Sequence, residues 1–109
     1  MNKIAIIEFQ PFHYMLVQNA IKFFSDYSIT VVVSKVFYDA FSNQPLFSSN
    51  DNYDLLIQQN SESDYAFKKK VKKYFDENEI SQVYFSTIAV SGSIKGVINE
   101  FLWIYKFKD

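Results

Sequence analysis

The chain has 109 residues, nearly half of them apolar and 19% aromatic, which is enough for one packed domain and too little for two. Eleven lysines against twelve acids, with no arginine, leave a formal charge of −1 and exclude the strongly basic balance of a general nucleic-acid binder. The absence of cysteine excludes disulfides, thiolate metal sites and cysteine nucleophiles. Ile4-Ala5-Ile6-Ile7 is a short apolar run with no polar face, the pattern of a buried parallel strand. Pro11 ends it and is expected in the first turn of a helix. From Phe12 to Asp26 the apolar residues Leu16, Val17, Ala20, Ile21 and Phe24 recur at helical spacing. Ile29 to Val33 is rich in β-branched residues and predicts a second strand. A short helix is expected over Val36–Phe41 and a polar loop over Ser42–Asn52.

Asp54-Leu55-Leu56-Ile57 predicts a third strand. Ser63 or Asp64 is placed to cap the next helix, Tyr65–Asn78, whose stripe is Phe67, Val71, Tyr74 and Phe75. Its lysine run, Lys68 to Lys70 with Lys72 and Lys73, reads either as a solvated outer face or as an anion-attracting one. Val83-Tyr84-Phe85 is the fourth strand, with a possible extension to Ile88. A turn over Ser91–Ser93 leads to a last helix, Ile94–Phe107, on which Trp103 and Phe107 extend the apolar surface toward a partner or a further domain. The alternation predicts a single α/β Rossmann-like three-layer domain, with a parallel sheet in order 3-2-1-4 and helices on both faces.

Ligands of such sheets bind outside the carboxyl ends of the strands, here Glu8 to His13, Ser34-Lys35, Gln58 to Asn60 and Ser86-Thr87. No glycine precedes Gly92, so the first turn cannot let backbone approach a pyrophosphate, and neither a dinucleotide site nor a phosphate-cradling loop is expected. No cofactor follows from the sequence, and a lone histidine with scattered carboxylates gives no metal-ligand set. His13, the only histidine, has two readings: a general base oriented by Glu8, or a helix-terminus residue packed against Tyr14. Glu8 likewise either binds a ligand hydroxyl or satisfies neighbouring backbone donors. Gln10, Phe12, Tyr14, Ser34, Lys35, Ser86 and Thr87 complete the candidate substrate-binding set.

The opening Lys3-Ile4-Ala5-Ile6-Ile7-Glu8-Phe9-Gln10-Pro11-Phe12-His13-Tyr14, with Ser28 to Val33, resembles the N-terminal domains of GT-B-fold glycosyltransferases. The resemblance implies an acceptor-binding domain that forms the N-terminal part of a larger two-domain enzyme. A sugar would pass from a nucleotide-sugar to a saccharide or other hydroxyl acceptor, with His13 as base. The donor-binding domain or partner subunit, contacted through Trp103 and Phe107, would come from elsewhere, and the isolated chain would be inactive. Many members carry a glycine-rich first loop that this chain lacks. The alternative from a different class is a non-catalytic flavodoxin-like or receiver-like interaction module, able to form a homo-oligomer. A third, a small hydrolase, has no Gly-x-Ser-x-Gly elbow to support it. The expected location is the cytoplasm, with no membrane-spanning stretch and with peripheral membrane attachment of the full-length protein as an option.

Overall fold

A computed structural model describes residues 2–48, 52–80 and 82–85. Within them four strands, β1 (Lys3–Glu8), β2 (Ser28–Val33), β3 (Tyr53–Ile57) and β4 (Gln82–Phe85), alternate with three helices, α1 (Tyr14–Phe23), α2 (Lys35–Phe41) and α3 (Asp64–Glu77). The strands form one parallel sheet in the order β3-β2-β1-β4, as the alternation predicts. Ile6 lies beside Val31 of β2 on one side and Tyr84 of β4 on the other. The extension to Ile88, the Ser91–Ser93 turn and the Ile94–Phe107 helix fall outside the described residues. Among the described residues no helix is long and apolar enough to cross a membrane.

Side-chain alternation along the strands sorts the core into two halves. Ile4 and Ile6 of β1 join Ile29, Val31 and Val33 of β2 beneath Val17 and Ala20 of α1 and Phe37 of α2. Ala5, Ile7 and Val32 face the other way and pack against Phe67, Val71 and Phe75 of α3. Thus α1 and α2 cover one face and α3 the other, which is what right-handed crossovers require when the chain reverses direction across β1. The apolar character of β1 and β2 on both sides follows directly.

Three departures from the sequence pattern have local causes. Pro11 is not in the first turn of α1. The helix begins only at Tyr14, because His13 adopts φ 66°, ψ 29° and interrupts the chain before it. Second, α1 ends at Phe23, and a turn stitched by Tyr27 N–H to the Phe24 carbonyl returns the chain to β2. Third, the Ser42–Asn52 segment contains a 3-10 turn, Pro45–Phe47, whose Leu46 is buried in the α1–α2 core. Leu46 N–H donates to the Tyr14 hydroxyl, and the Tyr53 hydroxyl donates to the Leu46 carbonyl. Burial, and then the neighbouring Tyr14, pushes the Tyr53 phenol above its ordinary pKa of 10.0.

Helix α3 starts where Ser63 Oγ accepts Ala66 N–H at 3.1 Å, so Ser63 rather than Asp64 is the cap. It stops without glycine. Ile80 N–H returns to the Phe75 carbonyl and Glu79 N–H to the Asp76 carbonyl, with Glu79 at φ 57°. This is the left-handed helix ending usually given to glycine, with Ile80 packed back on the core that contains Phe75. Glu79→Gly should therefore raise stability by about 0.5–1 kcal/mol in urea unfolding, since a side chain in this region costs about 1–2 kcal/mol before glycine's added entropy is subtracted.

The raised Tyr53 pKa sets an alkaline limit. Its contribution is fully present below the unfolded value of 10.0 and is lost as pH rises through the higher folded value. Comparing Tyr53→Phe with the parent across that range should show the stability difference shrinking as pH rises.

Candidate functional site

The carboxyl end of β1 is the centre of the edge where the predicted residues gather. Even-numbered side chains of β1 face α1, so Glu8 points toward the start of that helix and Phe9 toward α3. Glu8 is fully buried. Its Oε2 accepts Gln10 N–H at 2.8 Å, and its Oε1 lies 3.3 Å from His13 Nδ1. A buried carboxylate demands such partners, and they bend the residues after β1 back over the strand end.

His13 is the residue before α1, and its carbonyl receives the first helical hydrogen bond, from Val17 N–H. Its left-handed backbone is one that histidine tolerates better than most residues, at a cost of about 1–2 kcal/mol. Nδ1 is buried and out of line for a hydrogen bond with Glu8 despite the short distance. The His13 side chain as a whole keeps 22% of its surface. The two groups are therefore in close contact without a formed hydrogen bond. Phe12, half exposed, lies edge-on to the imidazole with ring centres 5.4 Å apart.

The other predicted residues divide. Ser34 is buried, and its hydroxyl donates to the Phe9 carbonyl at 2.7 Å while accepting Phe37 N–H as the cap of α2. Its side chain thus ties the ends of β1 and β2 together. Lys35 is half-buried beside it, with its backbone N–H held by Gln58 Oε1 at 3.1 Å. Tyr14 is set apart from the rest. Its ring stacks on Phe41 in the α1–α2 core, and its hydroxyl accepts Gln18 Nε2–H and Leu46 N–H. Ser86, Thr87, Trp103 and Phe107 lie outside the described residues.

Sequence reasoning missed the far wall of the site. A cleft of about 280 Å³ opens between the β1–α1 loop and the starts of α2 and α3, lined by Phe9, Gln10, Lys35, Gln58, Phe67 and Lys68 among others. Gln58, only 5% exposed, braces it: beyond Lys35, its amide donates to the Glu62 carbonyl and to Asp64 Oδ1. Gln58 was within the strand-end set named from the sequence, but nothing local marks Phe67 or Lys68 as anything but helix stripe and helix surface. Elsewhere on α3, Lys70 pairs with Glu62 at 2.9 Å, and the Gln59 backbone N–H and Lys70 hold the Glu62 carboxyl below its ordinary pKa. Among the described residues no group of acids and histidine is placed to hold a metal ion.

Comparison with family models, curated proteins and solved structures finds no match to this chain.

Two substitutions should differ in their cost. Glu8→Ala orphans the Gln10 N–H and empties a buried position, and should cost about 1–3 kcal/mol. His13→Gly removes the imidazole beside Glu8 but relieves the left-handed backbone, worth about 1 kcal/mol, and should cost less than Glu8→Ala. Urea unfolding of both variants beside the parent checks the pair.

Proposed function

We propose that this chain is the acceptor-binding domain of a two-domain glycosyltransferase of the GT-B fold, with His13 as the base that takes the proton of the acceptor hydroxyl. The observation that carries this reading is the buried Glu8 carboxylate 3.3 Å from His13 Nδ1, at the carboxyl end of the central strand. A carboxylate this close to Nδ1, once hydrogen-bonded to it, favours the tautomer in which Nε2 carries the lone pair, and it stabilises the imidazolium that forms. In the reaction, the acceptor oxygen forms a bond to the anomeric carbon, the bond from that carbon to the diphosphate breaks, and the acceptor proton passes to Nε2. Phe12, half exposed and edge-on to the imidazole, offers flat apolar surface to a sugar ring, and Gln10 of the same loop offers an exposed amide. The departing diphosphate needs cationic or backbone donors, and a chain without arginine or a glycine-rich turn leaves those to the second domain.

A second reading, an interaction module without catalysis, is favoured by one separate observation. Phe12, Met15, Leu16 and Phe23 of the α1 region are exposed, Phe23 at 78%. Apolar surface concentrated on one helix marks association sites.

Methyl glycosides titrated into the isotope-labelled chain are expected to shift the amides of residues 8–13. His13→Asn should weaken that binding about tenfold, the loss of one hydrogen bond of about 1.4 kcal/mol. Calorimetry with UDP- and GDP-sugars should show no tight complex. Micromolar nucleotide-sugar binding would contradict the acceptor-side assignment, and a stable dimer dispersed by Phe23→Ser, with no response to glycosides, would favour the second reading.

A further inference from the structure

We infer that the chain's own segment Ile94–Phe107 docks as a helix in the apolar groove between α1 and β4. This contact does not depend on the proposed transferase role. The groove measures about 300 Å³ and is lined by Leu16, Asn19, Ala20, Phe23, Phe24 and Tyr84. Aromatic rings line its lower part: Phe24 meets Tyr84 edge-on with ring centres 6.0 Å apart and Phe23 at 4.9 Å. Leu16 and Phe23 are exposed, although Val17 and Ala20 beside them on α1 are buried. Leu16, Asn19, Ala20 and Phe23 follow one another at helical spacing, so α1 carries a second ridge next to the one it buries. A ridge of that kind calls for another element against it.

The position of the groove names the element. Strand β4 ends at Phe85, at the carboxyl edge of the sheet, and the chain continues through residues 86–109. An element that follows there has to run back along the sheet, in the direction α1 takes after β1. Packed helices lie about 8–10 Å apart and neighbouring strands about 4.8 Å, so the place beside α1 is over β4, two strand spacings across. Tyr84 of β4 faces that place and packs against the α1 side of the core. Ser86 to Ser93 provide eight residues for the reversal. As a helix, Ile94–Phe107 would be about 21 Å long, against about 15 Å for α1, and would cover the whole groove. Ile94, Val97, Ile98, Phe101, Leu102 and Tyr105 recur at the same spacing as the α1 ridge. Tethered to β4, the segment meets the groove at an effective concentration that a separate partner does not reach.

The opposite face of the sheet offers no comparable seat. There α3 exposes Lys69, Lys70 and Lys73, and Val83 and Phe85 of β4 pack against the core beneath it. An apolar stripe laid on that side would meet ammonium groups, whereas beside α1 it meets Leu16, Phe23 and Tyr84. Trp103 and Phe107 fall outside the stripe and stay on the outer surface of the docked helix.

The chain has no cysteine, so Asn99→Cys carries a single nitroxide label, on the side of the helix away from the stripe. In the isotope-labelled full chain the label should broaden the amides of Leu16, Asn19, Phe23 and Tyr84 far more than those of Lys69 and Lys73. Leu16→Asp and Phe101→Ser should each abolish most of that broadening while the amides of β1 and β2 keep their positions. In both variants the amide hydrogens of residues 97–105 should exchange about tenfold faster or more than in the parent. Broadening centred on α3, or none on α1, would overturn the assignment. So would equal broadening of isotope-labelled chains that carry no nitroxide when they are mixed with nitroxide-bearing ones, since the occupant would then be a second copy.

Discussion

A carboxylate with no solvent exposure stands at the end of the central strand, and the geometry of the whole ligand edge follows from satisfying it. Strand alternation leaves Glu8 no choice of face: Ile4 and Ile6 pack under α1, so Glu8 must point the same way. Buried there, its oxygens need donors close at hand. The Gln10 backbone supplies one and the His13 imidazole stands 3.3 Å away, so the five residues after β1 fold back instead of entering a helix directly. The left-handed turn at His13 is the consequence, and the late start of α1 is the consequence of that turn. Strain at this residue is held by the surroundings, the usual condition under which such backbones persist.

The same economy of buried polar groups organises the rest of the edge. Ser34 and Gln58 are short or planar side chains with every bond directed inward, and between them they fasten three strand ends to two helix starts. Fully satisfied networks of this kind fix one arrangement of the backbone, because any slip leaves a donor or acceptor unpaired. The helix starts are thereby held in position, with the long Lys35 side chain half-buried beside them. The contrast with Tyr14 is instructive. It belongs to the same stretch of sequence as His13, yet one residue further along it is inside α1, and the helix turns it into the core, where its hydroxyl anchors Leu46.

Those two levels of organisation were unequally legible in the amino-acid order. The parallel sheet was readable because β1 and β2 are apolar on both faces, a pattern with few other uses, and the strand order followed from the alternation of elements. The α3 start was readable from a serine in capping position. The α3 end was not, because Glu79 occupies a place where glycine is the usual mark. Leu46 was not readable as core, since it sits in a polar segment and its backbone is held by the hydroxyls of Tyr14, 32 residues away, and Tyr53. For the site, Glu8 and His13 were visible as a pair because a single short loop joins them. The cleft was hidden because its walls come from four segments, and Phe67 and Lys68 have adequate local reasons to be where they are.

The side chains along the β1–α1 loop also bear on what this edge could recognise. A glycine there would let a ligand's phosphates rest on bare backbone N–H groups at a helix start. Here every residue from Glu8 to Tyr14 carries a side chain, the Gln10 N–H is turned inward to Glu8, and the start of α1 is preceded by an imidazole. A ligand meets amide, aromatic ring, imidazole and ammonium before it meets backbone. Groups of that kind suit hydroxyls, rings and single anionic substituents, bound one contact at a time. They do not build the continuous backbone cradle that a dinucleotide requires. The loop without glycine is the same loop that the buried Glu8 holds in place.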